Sequence, residues 1–325
     1  MQSSISTARA ALRKRVESVS ERANRVTVQD VSVLDVLRTL PERADDRAFW
    51  MTAGEALLSL YYDRLPETGL DFAAQDWDTM IILDACRYDL FEEKRPESWP
   101  TSLRVRSRAS HTTGFYKANF TDGPYLDTVL VTANPKAVQE RGDAFHDVIK
   151  VYETDWDDEK GTVMPDAMAR ATIEAHENYP DKRVVSHWIQ PHYPFVGGDG
   201  GGYDFLGEAI WYDLMRGTVD PETVYADYAA TLEMAIPYVQ EVLDAIEGRT
   251  VVTSDHGNLF GEHPWFYPAP IYGHPRGIKH PDLVDVPWSV IDQGPRREVT
   301  EGESRVADAG SDDEVKARLE SLGYV

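Results

Sequence analysis

One cysteine, nine lysines and no apolar run long enough to cross a bilayer set the first limits on this chain. With Cys86 alone, no intramolecular disulfide can form, and a reducing compartment is permitted. The apolar stretches fall short of the roughly 18 residues that a span requires, and the N-terminus lacks a signal-peptide core. The expectation is a cytoplasmic protein with no transmembrane segment. Scarce lysine goes with a surplus of acid. There are 33 basic and 56 acidic residues, a net charge of −23 spread along the chain. Such a surface repels nucleic acid and anionic lipid, so neither is an expected partner. Dispersed carboxylates with little lysine are the pattern of a halophilic protein, in which salt screens self-repulsion. A locally basic stretch at 8–25 (Arg9, Arg13, Lys14, Arg15, Arg22, Arg25) carries few large apolar residues and reads as a solvated helix.

What is present is a globular composition, 42% hydrophobic over 325 residues, enough for a substantial core. Residues 1–48 read as helical and peripheral, with a short apolar stripe through Val31, Leu34, Leu37 and Leu40. A second helical pattern covers 49–66. Strand-like runs at 79–83, 102–107, 127–132, 183–188 and 249–253 alternate with helical patterns at 86–93, 112–120, 135–140, 163–178 and 222–247. That alternation predicts a wound, mostly parallel sheet with helices on both faces. Pro237 is expected to kink the last helix. Residues 196–204 form a glycine-rich loop suited equally to a lid or a surface connection. Residues 296–313 are charged and expected to be poorly ordered, with a short helix at 312–322. Three regions follow: a helical extension at 1–70, an α/β core at 75–295, and an acidic linker with a terminal helix at 296–325.

Polar residues gather where these strands end, the usual place for ligands in open α/β sheets. The uncharged run 79–83 stops at Asp84, within Asp84-Ala85-Cys86-Arg87-Tyr88-Asp89. The run Thr250-Val251-Val252-Thr253 stops at Ser254-Asp255-His256-Gly257-Asn258. Between them lie Ser110-His111-Thr112-Thr113, ahead of a helix, and His187-Trp188-Ile189-Gln190-Pro191-His192-Tyr193-Pro194. Tyr272-Gly273-His274-Pro275-Arg276-Gly277 comes last. Seven of the nine histidines fall in or beside these segments, a concentration that packing alone does not explain. Carboxylates and imidazoles at two strand ends point to one divalent ion between them.

On these motifs the chain resembles the alkaline phosphatase superfamily, in its sulfatase-like and phosphoglycerol-transferase-like branch, of haloarchaeal type. The likeness covers roughly residues 75–290 and the closing Leu319–Val325. It implies a three-layer α/β sandwich with a mostly parallel central sheet. It implies Asp84, Asp255 and His256 as metal ligands, joined by Thr112, which is also the best match for the nucleophile. Ser110 and Thr113 compete with Thr112. The Pro-His-x-Pro text places His192, and the later Gly-His places His274, on the transferred or leaving group, with His187 beside them. Arg87 and Lys117 are further candidates for fixed positive charge, and His111 and Asn258 for lesser parts.

The implied cofactor is one divalent metal ion. Mixed carboxylate and imidazole ligands favour Mn²⁺ or Zn²⁺, with Mg²⁺ or Ca²⁺ open. Thr112 lacks the Cys/Ser-x-Pro-x-Arg text of formylglycine sulfatases, and no Asp-x-x-x-His element announces a second metal. The expected activity is metal-dependent hydrolysis or transfer at a small-molecule or glycan phosphate ester. Sulfate ester hydrolysis by the same residues, or a non-catalytic scaffold in a surface-glycan pathway, are the alternatives. Cys86 reads as a filler of core space, and His146 and His176 as solvated.

Overall fold

The computed structural model describes residues 46–65, 68–121, 123–198 and 209–306, with 318, 319 and 322. The expected helix within 1–45 with its basic and apolar stretches, the glycine-rich loop from 199 onward, and all but these last three positions of the terminal helix lie outside the described residues.

In chain order, α1 (Arg47–Tyr62) leads to β1 (Thr79–Leu83), α2 (Tyr88–Lys94), β2 (Leu103–Arg106), α3 (Thr112–Asn119), β3 (Tyr125–Thr132), α4 (Pro135–Arg141) and β4 (Phe145–Lys150). A short α5 (Val151–Thr154) and the antiparallel pair β5 (Trp156–Asp157) and β6 (Thr162–Val163) precede α6 (Pro165–Asn178) and β7 (Arg183–Trp188). Then follow α7 (Ala209–Arg216), α8 (Pro221–Ala245), β8 (Gly248–Thr253), the pair β9 (Leu259–Phe260) and β10 (Tyr272–Gly273), α9 (Pro281–Val284) and β11 (Asp285–Gln293).

The main sheet has seven strands in the order β2-β11-β8-β1-β7-β3-β4. β1 lies parallel to β7 and β8, and β3 lies parallel to β7 and β4. β11 alone runs against its neighbours. Because strand side chains alternate, each central strand splits between two cores. Ile81, Leu83, Val129, Val131, Val184 and Val252 pack with α2, α6 and α8. Met80, Ile82, Leu130, Val185 and Val251 pack with Phe115 and Tyr116 of α3 and Ala137 of α4. Helices therefore cover both faces, the mostly parallel α/β sandwich that the alternation of patterns predicts. α1 closes a third, smaller core with Leu259, Ile271, Ile278 and Leu283.

The five strand-like runs all appear as strands, but β4, β11 and the helix α7 were not read from the sequence. β4 is an edge strand with a mixed pattern, Phe145-His146-Asp147-Val148. β11 contains Pro287, and a proline argues against an interior strand. Pro287 is tolerated there with its carbonyl accepting from Thr253 Oγ1 at 2.6 Å. α8 continues through Pro237 as one element.

Two further expectations are corrected. Residues 296–306 are not loose. They cross the N-terminal ends of the parallel strands as a strap. Arg296 binds Asp76 and Asp78 ahead of β1. Thr300 N–H then donates to the Asp181 carbonyl, Gly302 to Leu126, and Arg305 to His146. Nor are His146 and His176 solvated; both are buried. Arg297 donates to His176 Nδ1, which leaves Nε2–H to donate to Thr79 Oγ1 at 2.9 Å.

Burial, and then the charge of Arg297, push the His176 imidazole down to about 3 from its usual 6.5. The folded protein therefore holds His176 neutral, while the unfolded chain takes up a proton below about pH 6.5. Stability gained from this residue is complete above that pH and is lost as pH falls toward 3. His176→Gln, which keeps an acceptor and a donor but does not titrate, should flatten the acid limb of denaturant stability against pH. An unchanged slope between pH 6.5 and 4 contradicts this account.

Candidate active site

The register of the sheet determines what meets at its C-terminal edge. Ile82 of β1 stands level with His187 of β7 and Thr253 of β8, and His187 stands level with Thr132 of β3. All four have the parity of the core under α3. Two residues further along the same parity come Asp84, Asp255 and Asn134. Four adjacent strands, spaced about 4.8 Å apart, thus deliver polar side chains to one place. α3 covers that face and begins at Thr112.

Asp84, His187 and Asp255 offer donor atoms that all lie within 4.8 Å of one another. His187 Nε2 is 3.4 Å from Asp84 Oδ2 and 3.9 Å from Asp255 Oδ2. His256 Nε2 is 3.5 Å from Asp84 Oδ1 and 3.4 Å from Asp255 Oδ2. Thr112 Oγ1 lies 3.5 Å from both Asp84 Oδ2 and His256 Nε2. Donors bound at about 2.0–2.2 Å to a tetrahedral ion sit roughly 3.3–3.6 Å apart, so these gaps have the size of coordination edges. Asp255 Oδ2 and His187 Nε2 are buried with no hydrogen-bond partner among the described residues. Buried polar atoms rarely go unpaired, so this pair of orphans asks for a partner. Two imidazoles with two carboxylates, aimed at one point, suit a borderline divalent ion of the Zn²⁺ or Mn²⁺ kind.

Surrounding bonds orient the donors. His256 Nδ1–H donates to the Gly257 carbonyl at 2.8 Å, which turns a bare Nε2 inward. His187 Nδ1 meets the Tyr116 hydroxyl at 2.9 Å. Asn134 donates to Asp84 Oδ2 at 2.6 Å, and its own oxygen caps α4 through Lys136 N–H. Ala85 N–H and His256 N–H both donate to Asp255 Oδ1. Burial alone would raise the Asp84 carboxyl; His192, His187 and His256 outweigh it and hold it below its usual value. Gly257 allows a close approach, since a Cβ there would fall 2.0 Å from the Asp282 carbonyl.

His192 and His274 form a second layer, with Nε2 atoms 3.0 Å apart. His192 Nδ1–H is committed to the Tyr193 carbonyl at 2.6 Å, so the hydrogen between the two rings comes from His274. Burial is the main cause holding both imidazoles below their usual value. The ring of His274 stands 4.6 Å from that of His256.

The structure thus brings together Asp84, Thr112, His187, Asp255 and His256, with His192 and His274 beside them. His187 lies among the donor atoms, with Asp84 and Asp255. Arg87 does not offer a spare charge: Asp89, Glu262 and Asp282 surround its guanidinium. Lys117 pairs with Glu140 at the surface. Ser110 Oγ is directed to the Pro275 carbonyl at 3.1 Å. Cys86 is fully buried, and burial pushes its thiol well up, as expected of a core filler. Asn134, Tyr116 and Tyr228 went unread. Asn134 had a signal, since Asn-Pro after a strand marks a helix start at the same edge as Asp84. Tyr228 had none, because its partner is a turn distant in sequence.

No family model and no curated protein matches the chain. Among solved structures it is similar to the soluble domain of lipooligosaccharide phosphoethanolamine transferase A from Neisseria meningitidis. That match has 15% identity, covers 70% of this chain and 81% of that one, and has a TM-score of 0.45. It is also similar to the zinc complex of the C-terminal periplasmic domain of EcEptC from Escherichia coli (12%, 70% and 77%, 0.46). A third is the phosphonate monoester hydrolase SpPMH from Silicibacter pomeroyi (13%, 76% and 73%, 0.39). At these identities and scores the chemistry has to be judged from this chain's own residues. Among the described residues, no helix is long and apolar enough to cross a membrane.

Ala85, with φ of 57°, takes a left-handed conformation that is unfavourable for a residue with a Cβ. The Tyr228 hydroxyl clamps this turn, donating to the Ala85 carbonyl at 2.7 Å and accepting from Arg87 N–H at 2.9 Å. Tyr228→Phe should cost about 1–3 kcal/mol in urea unfolding, because two buried backbone groups lose their partner. It should also weaken metal retention by displacing Asp84. Stability and metal content both equal to wild type would show that the clamp is idle.

Proposed function

We propose that this chain is a metal-dependent enzyme that hydrolyses or transfers a phosphate ester through a covalent intermediate on Thr112. The observation that carries the reading is the set of donors at three adjacent strand ends with a threonine hydroxyl 3.5 Å from two of them. Asp84, His187, Asp255 and His256 would hold one divalent ion. When bound, such an ion neutralises the phosphoryl oxygens and lowers the pKa of the attacking hydroxyl.

The residues then divide the work. Thr112 Oγ1 attacks phosphorus; the Oγ1–P bond forms as the bond to the leaving oxygen breaks, and the hydroxyl proton replaces the hydrogen that the His192–His274 pair gives to that oxygen. Its place at the first turn of α3 sets oriented backbone N–H groups beside the anion. The His192–His274 pair holds one exchangeable hydrogen between two imidazoles, and protonating a departing alkoxide needs such a donor. Water or an alcohol then attacks the phosphorylated threonine, the Oγ1–P bond breaks, and Thr112 recovers its proton. Arg87 has a structural part, pinning the turn after β1 to the segments that carry Glu262 and Asp282.

The test is metal content and turnover of p-nitrophenyl phosphate and p-nitrophenyl sulfate at molar KCl. Wild type should carry about one ion per chain and favour the phosphate. Asp255→Ala should lose both metal and activity. Thr112→Ala should keep much of the metal and lose at least about 10³-fold in kcat. Selective cleavage of the sulfate would make this a sulfate ester hydrolase. A chain that takes up neither Mn²⁺ nor Zn²⁺ and turns over neither ester fits the scaffold reading instead.

A further inference from the structure

A cavity of about 440 Å³ opens beside the start of α3, bounded by residues 108–114 on one side and 276–279 on the other. Among the described residues its wall carries Arg108, Arg276 and Lys279 against one carboxylate, Asp63. In a chain of net charge −23, such a surplus of lining cations goes against the prevailing sign. Arg108 shares its charge with Asp71 at 3.2 Å, and Lys279 Nζ reaches the Leu65 carbonyl at 3.4 Å. The cavity adjoins the metal-donor cluster. His111 lines it and immediately precedes Thr112, and Arg276 follows His274 by two residues. The bond from Ser110 to the Pro275 carbonyl fastens the two walls together.

His111 supplies an independent sign of a ligand. Both of its ring nitrogens are buried and find no hydrogen-bond partner among the described residues. An imidazole N–H can donate a hydrogen bond to an oxyanion. Gly114 leaves room for this ring, since a Cβ there would fall 2.7 Å from His111 Cε1. The wall thus combines positive charge with an idle donor.

We propose that this cavity binds a second oxyanion, carried by the part of the substrate that is not transferred. The preferred esters would then bear a phosphate, sulfate or carboxylate on the leaving or accepting portion, instead of being esters of uncharged alcohols. The proposal rests on Thr112 as the point of transfer, because His111 on the cavity wall is its neighbour in the chain. Charge held away from the reacting phosphorus contributes binding energy without opposing the attack on it.

Two uncleavable probes differing by one carboxylate, phenylphosphonate and 4-carboxyphenylphosphonate, test it by calorimetry on the metal-loaded full chain. Wild type should bind the carboxylated probe about tenfold more tightly, a difference of about one step on the affinity scale. The double variant Arg276→Gln/Lys279→Gln should lose that preference, and Arg276→Lys/Lys279→Arg should restore most of it. Equal binding of the two probes by wild type, binding of neither, or a preference that survives in the glutamine variant would overturn the proposal. Calorimetry needs no turnover, so a selective cavity in a chain that cleaves no ester would remove the catalytic reading and leave the anion site standing.

Discussion

Two carboxylates buried side by side are the constraint that the rest of this molecule answers. Asp84 and Asp255 have no measurable exposure to solvent, and each follows a strand that is itself buried. Placing ionised carboxylates in such a setting is costly unless charge or hydrogen bonds of the opposite sense surround them. The protein supplies part of that compensation with Asn134, the Ala85 and His256 amides, and imidazoles turned inward by their own partners. The compensation is incomplete. Asp255 Oδ2 and His187 Nε2 remain buried and without hydrogen bonds among the described residues. A site that gathers negative charge and stops short of satisfying it has the character of a cation receptor.

Parity along the strands is what makes this gathering possible. Met80, Ile82 and Asp84 share one side of β1; Val185 and His187 share the same side of β7; Val251 and Thr253 lead to Asp255. A single set of apolar residues therefore builds the core beneath α3, and its continuation past the strand ends builds the donors. Slipping one strand by one residue would send its ligand into the opposite core. Packing and chemistry are specified by one pattern, which explains why no loop longer than a few residues separates a buried strand from its functional group.

Much of this was legible in the sequence. Buried parallel strands are uncharged and β-branched, so they stand out, and a polar residue ending such a run is conspicuous; that is how Asp84, Asp255 and His256 could be found. Thr112 was singled out by the family resemblance, with Ser110 and Thr113 as competitors, and it begins α3. The failures also have physical causes. β11 was hidden by Pro287, whose missing N–H is tolerated in a strand that was not otherwise recognisable. His146 and His176 resemble surface residues because the groups that bury them, Arg297 and the segment after it, lie more than a hundred residues away. Arg87 stood out because it follows Asp84 by three residues, and the carboxylates that pair with it from two distant segments could not be seen in the sequence. Chemistry written into contiguous text was visible; chemistry created by a distant partner was not.

The strap of residues 296–306 crosses the sheet at the end opposite to the donors; Arg296, Arg297 and the Thr300 hydroxyl anchor its first part, and main-chain bonds carry it onward. Thr300, Gly302 and Arg305 each donate a main-chain N–H to a carbonyl at or just before the start of β7, β3 and β4 in turn. Such fastening depends on the path of the chain more than on which side chains it carries. Substitutions could therefore accumulate there, within the limits set by Arg296 and Arg297, without disturbing the order of the strands. The two ends of the sheet are then open to different rates of change. One is governed by the exact placement of a few oxygen and nitrogen atoms, the other by the presence of a continuous polypeptide.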